Sequence, residues 1–126
     1  MPKILITDDD PLMRMLLKET LEKLEDKGVE LLTVENGEEA IEIVRTEKPD
    51  LIILDVMMPG VNGFEVCDIV KNELGMKDVY ILMLTASGQE SNKRKSIKVG
   101  TDIFMTKPFD PDGIIKKAAE ILAIET

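Results

Sequence analysis

Residues 50–65 read DLIILDVMMPGVNGFE, and the fold turns on how they are read. Leu51-Ile52-Ile53-Leu54 is apolar without alternation, the pattern of a strand covered on both faces rather than one with a wet side. The run stops at an acid, Asp55, and Gly60 and Gly63 beyond it have the look of turn residues. Asn62 with Glu65 has the spacing of a capping box, so a helix is expected to begin there. Strand, polar end, turn, helix: this is one unit of a βα repeat.

The same unit recurs on either side. Ile4-Leu5-Ile6, Leu31-Leu32-Thr33-Val34 and Val79 to Leu84 read as strands, with a weaker fifth near Ile103-Phe104-Met105. Between them lie amphipathic stretches. Pro11 to Asp26 places Met13, Leu17, Leu21 and Leu24 on one stripe. Ala40, Ile41 and Val44 form a second, Cys67, Val70 and Leu74 a third, and Ile115, Ala118 and Leu122 a fourth. Asp10 before Pro11 and Asp110 before Pro111 pair an N-cap with an N1 proline. Asn36 with Glu39 is a second candidate box, and Gly28 and Gly75 stand where helices should stop. Five βα units predict an α/β fold: a single doubly wound, five-stranded parallel sheet with helices on both faces. Sites in such sheets form beyond the carboxyl ends of the strands.

Composition narrows what can happen there. The 126 residues fit one domain, and the formal charge of −9 is wrong for direct nucleic-acid binding. No apolar run is long enough for membrane insertion, and Met1-Pro2-Lys3 lacks the layout of a signal peptide, so a cytoplasmic protein is expected. A lone Cys67 and the absence of histidine exclude an internal disulfide, thiolate zinc and imidazole chemistry. Carboxylates, hydroxyls, lysine, backbone and a hard cation remain.

Those groups collect at the predicted strand ends. Asp8, Asp9 and Asp10 follow the first strand, Asp55 closes the third, Thr85-Ala86-Ser87 closes the fourth, and Lys107 closes the fifth. Each alone has an ordinary explanation, as a helix cap, a loop acid or a solvated cation. Their coincidence at one rim does not. Crowded carboxylates repel unless one is protonated or a cation sits among them, and hard oxygen donors suit Mg²⁺. A cation beside Lys107 would serve phosphoryl transfer, with Asp55 as the carboxylate nucleophile.

The stretches KILITDDDP (3–11), DLIILDVMMPGVNGFE (50–65), ILMLTAS (81–87) and FMTKPF (104–109) resemble the receiver domains of bacterial two-component response regulators. The likeness runs over essentially the whole chain, in the manner of single-domain chemotaxis and sporulation regulators. It implies a flavodoxin-like strand order 2-1-3-4-5 and one receiver domain over residues 1–126. It also implies Asp55 as phospho-acceptor, and Asp8 and Asp9 as the acidic pair holding Mg²⁺ (or Mn²⁺), with Asp9 the direct ligand of the two. Asp55 itself and the Met57 backbone carbonyl complete the metal shell. By the same resemblance, Thr85 is the switch hydroxyl, Ala86 the small neighbour of the phosphoryl group and Lys107 its ion-pair partner. Phe104 is the switch aromatic, and the Lys107-Pro108 bond is cis, aiming the lysine inward.

The phosphodonor is expected in trans, a sensor histidine kinase or a histidine phosphotransfer protein, and the output is expected to be a downstream protein target. The chain is not expected to be an enzyme beyond promoting its own phosphorylation and dephosphorylation. No output domain is expected in the residues up to Thr126. Three features depart from the commonest family pattern. Thr7 replaces an aliphatic residue without expected consequence, Phe104 lacks a tyrosine hydroxyl, and Met57 and Ser87 occupy positions that govern water access. The segment Gly88 to Val99 carries Lys93, Arg94, Lys95 and Lys98 with few apolar groups, the mark of a weakly anchored, movable helix with a basic face.

Rival functions fit less well. A haloacid-dehalogenase-like phosphatase wants an aspartate where Met57 stands. A flavin carrier wants hydroxyls where three acids stand, and no Gly-rich loop carries Lys-Ser or Lys-Thr.

Overall fold

The computed structural model describes residues 1–86 and 90–124. Five strands, β1 (Lys3–Thr7), β2 (Glu30–Val34), β3 (Leu51–Asp55), β4 (Tyr80–Thr85) and β5 (Ile103–Thr106), alternate with five helices. These are α1 (Pro11–Glu25), α2 (Gly37–Glu47), α3 (Gly63–Asp68), α4 (Glu90–Val99) and α5 (Pro111–Leu122). All four strand pairings are parallel, in the order β2-β1-β3-β4-β5. The expected doubly wound sheet is present.

Alternation along each strand divides the core in two. Leu5, Ile52, Leu54, Ile81 and Met83 meet Ala40 and Val44 of α2 and Val66 and Cys67 of α3. Ile4, Ile6, Leu51, Ile53, Leu82 and Leu84 meet Leu17, Leu21 and Leu24 of α1 and Ile114, Ala118 and Ala119 of α5. Every residue of β3 is buried, which explains why its sequence shows no period of two. Each fully buried leucine or isoleucine contributes roughly 1.5–3 kcal/mol.

Local signals behave as written in most places. Asp10 caps α1 by accepting the Leu12 N–H at 3.0 Å, and Asn36 caps α2 through the Glu39 N–H at 2.8 Å. Asn62 and Glu65 form the reciprocal box. Gly28 and Gly75 take φ of +90° and +67° after their helices, where a side chain would be strained.

Three details differ from expectation. Asp110 occupies the N-cap position of α5 but makes no side-chain cap bond. The buried row of α5 runs through Ile114 and Ala118, so Ile115 and Leu122 flank it, half-buried. The third helix is not α-helical throughout: Ile69–Glu73 forms a π turn, with the Leu74 N–H donating to the Ile69 carbonyl at 2.8 Å. That wider turn buries Lys71 beside Val70, and the Lys71 ammonium pairs with Asp102 at 2.9 Å and donates to the Lys77 carbonyl at 3.0 Å.

Candidate functional site

The strand order reverses between β1 and β3, and the carboxyl ends of β1, β3, β4 and β5 form one rim beside that point. Asp8 follows β1 and is buried, with 1% of its surface exposed, while Asp9 next to it faces solvent. Asp55 ends β3 at 5% exposure. One carboxylate oxygen each from Asp8, Asp9 and Asp55 lies within 4.8 Å of the others. Asp10, committed to capping α1, is not in this group.

Asp8 is held on every side. Its Oδ1 accepts the Asp10 N–H at 3.0 Å, its Oδ2 the Lys107 ammonium at 2.9 Å, and its main-chain carbonyl a bond from Arg14 Nη1 at 2.7 Å. Lys107 also stands 3.5 Å from Asp55 Oδ1. Its own place is set by β5: the Lys107 N–H donates to the Thr85 carbonyl at 2.7 Å, and the Lys107–Pro108 bond is cis.

Crowding shows in the ionisation. Burial, then the charge of Asp8, pushes the Asp55 carboxyl up to about 6, against the opposing pull of Lys107 and the Met57 N–H. Burial works against the Lys107 charge, yet the bond to Asp8 and the attraction of both acids hold its ammonium above the ordinary lysine value. Three hard carboxylate donors at this spacing, one of them protonating near neutrality for want of compensation, fit a divalent cation. The one cysteine, Cys67, is buried in the core cluster that α2 and α3 cover, so no soft donor competes.

The other predicted residues lie on the strands and loops that form or lead to this rim. Thr85 is fully buried at the end of β4, and Ala86 follows it, exposed. Met57 projects with 69% exposure, and its N–H reaches the Asp55 carboxylate. Phe104 sits on β5 opposite Met83, half-buried against the cluster that α2 and α3 cover. Ser87, Gly88 and the side chain of Lys93 lie outside the described residues.

Two contributors carry no strong sequence signal. A Cβ on Gly63 would meet the Asp55 carbonyl at 2.3 Å, so only glycine lets the start of α3 pass behind the acid. Arg14 reads in the sequence as one more surface cation of α1. Thr7 is also less innocent than its position implies, since its hydroxyl is buried with no hydrogen-bond partner among the described residues. Such a group costs about 1–3 kcal/mol.

Comparison with known proteins agrees with this geometry. The family model for the response regulator receiver domain matches residues 4–119. The alkaline phosphatase synthesis transcriptional regulatory protein PhoP of Bacillus subtilis is 42% identical over 120 residues, covering 95% of this chain and 48% of PhoP. The chain therefore spans about half the length of the curated relatives it matches. The chemotaxis protein CheY4 of Vibrio cholerae superposes with a TM-score of 0.84 at 33% identity, covering 96% of this chain and 98% of that one. A response regulator structure from Chloroflexus aurantiacus gives 0.85 at 34% identity, covering 98% and 99%. With the parallel sheet, the acidic trio at its switch point and a family match over nearly its whole length, this chain belongs to the response regulator receiver domains, the phospho-accepting modules of two-component signalling.

Proposed function

We propose that Asp55 is the phospho-acceptor, and that it takes the group from a phosphohistidine of a sensor histidine kinase or histidine phosphotransfer protein. One observation carries this reading: Asp55 is a buried carboxylate within 4.8 Å of two further acids and 3.5 Å from a lysine. The metal is Mg²⁺, with Mn²⁺ able to replace it, held by Asp8, Asp9, Asp55 and the Met57 carbonyl, with Asp9 a direct ligand. When bound, it supplies positive charge for the phosphoryl oxygens and for the crowded acids.

The protein's own groups do the rest. An Asp55 carboxylate oxygen attacks phosphorus, the P–N bond breaks, and its electron pair returns to the donor imidazole. Lys107, already oriented by Asp8, exchanges part of that contact for the incoming phosphoryl oxygens. Ala86 leaves room for them at the rim. Thr85 turns its hydroxyl toward the phosphoryl group, Phe104 follows, and the α4–β5 surface changes for a downstream protein target.

The domain is in this reading a substrate that assists its own phosphorylation and dephosphorylation, not an enzyme acting on others. A cytoplasmic setting fits a chain in which no described helix is long and apolar enough to cross a membrane. Intact mass after incubation with acetyl phosphate and Mg²⁺ tests the assignment. The native chain is expected to gain one alkali-labile phosphoryl group and Asp55→Asn none; undiminished labelling of the variant would overturn it.

A further inference from the structure

Arg14 is misplaced by the rules that govern helices. It closes the first turn of α1, where the partial positive charge of the helix end disfavours a cation, and no acid occupies that turn to offset it. Its Nη2 lies 3.9 Å from Glu35 Oε2, but Glu35 is largely exposed and such a rim contact is worth little. The short contact is elsewhere: Nη1 donates to the Asp8 carbonyl at 2.7 Å. A residue that breaks a local rule and makes one short polar contact at a site is there for the site.

What that contact fixes is the direction of Asp9. The Asp8 carbonyl belongs to the peptide plane joining Asp8 to Asp9. Gripping it sets the last dihedral of Asp8 and the first of Asp9, and so the direction in which the Asp9 side chain leaves the backbone. Asp8 is independently fixed through both carboxylate oxygens, by the Asp10 N–H and by Lys107. Asp9 has no such support: among the described residues its carboxylate has no hydrogen-bond or ion-pair partner, and it faces solvent. The backbone is the sole described means of aiming it.

We infer that Arg14 is a positioning residue for the divalent site, acting through the Asp8–Asp9 peptide to hold the Asp9 carboxylate toward Asp8 and Asp55. This rests on the phospho-acceptor reading above and adds a residue to it. It also makes a prediction whose sign separates it from simple electrostatics. A guanidinium near the acids repels a dication, so loss of its charge alone would tighten metal binding. Loss of the grip loosens it.

The test is Mg²⁺ affinity of the unphosphorylated chain, followed through the backbone amide resonances of the β1–α1 loop. Arg14→Met is expected to weaken Mg²⁺ binding about tenfold, the usual effect of removing a group that orients a metal ligand. Asp9→Asn is expected to weaken it as well, and Arg14→Met added to Asp9→Asn to cost little more, because the two act as one unit. If Arg14→Met does not fold, Arg14→Gln carries the same comparison, being neutral and too short to keep the contact. A native chain that binds Mg²⁺ while the Arg14 variant binds it equally or more tightly would overturn the positioning role alone. Fully additive losses in the double variant would overturn it too. A native chain binding no Mg²⁺ at all would overturn this role and the phospho-acceptor reading together.

Discussion

Asp55 carries a cost that its chemistry requires. Its carboxyl titrates at about 6 rather than at the ordinary 3.8, so the folded chain binds that proton more tightly than the unfolded one. The group's contribution to stability is therefore complete below about pH 4 and is lost as pH rises through about 6. Ionised at neutral pH and without a dication, it destabilises the fold by something on the order of 3 kcal/mol. Asp55→Asn removes the titration. In metal-free buffer the variant is expected to melt several degrees above the native chain at pH 8, with the gap closing toward pH 5. Melting curves at the two pH values check this, and a gap independent of pH would contradict it. At this scale the sequence was legible wherever chemistry and strand ends coincide: Asp8, Asp9, Asp55 and Lys107 stand out because polar groups interrupt apolar runs. Gly63 and Arg14 escape such reading for opposite reasons. Gly63 matters through an atom it lacks, and Arg14 through a main-chain contact that no pattern of side chains records.

Apolar stripes located four of the five helices and short apolar runs the five strands, whereas α4, with few apolar groups, shows no such stripe and is read from its charged residues and its place in the repeat. Periodicity failed where the spacing itself changes. A stripe through Cys67, Val70 and Leu74 assumes 3.6 residues per turn, but the turn over Ile69–Glu73 is wider, and Lys71 rotates into the interior with its neighbours. A lysine in an amphipathic stretch reads as the wet face; here only 5% of it is exposed. Its ammonium answers Asp102, whose Oδ2 also accepts the Ile81 N–H at 2.9 Å, so the pair joins the end of the third helix to the α4–β5 loop and the start of β4. Lys71→Met would leave the part-exposed Asp102 carboxylate without its counter-ion and the Lys77 carbonyl without its donor, and a loss of about 1–3 kcal/mol is expected. Asp102→Asn added to it should recover part of that, since the amide oxygen can keep the Ile81 bond. Urea unfolding measures both; a single-variant loss under about 1 kcal/mol would show that the pair holds little.

Over the molecule as a whole, the sheet is gripped unevenly. α1, α2, α3 and α5 bring runs of buried apolar residues to it, whereas Ile97 of α4 is 66% exposed and Ser96 is buried with a hydroxyl that finds no partner among the described residues. Burial supplies most helical stability, so α4 is the helix held by least. Binding of beryllofluoride with Mg²⁺, as a phosphoryl mimic, is expected to change amide exchange across α4 and β5 far more than in β1 or β3. Unchanged exchange over α4 and β5 would remove the basis for placing the output there. The hydrogen bond between Asp8 and Lys107 joins residues 99 positions apart, one just past the first strand and one just past the last. A chain emerging from the ribosome therefore carries its acids early and their lysine late. Until β5 has added itself to the edge of the sheet, the acidic pocket lacks its lysine, and the rim is whole only once the last strand of the domain is in place.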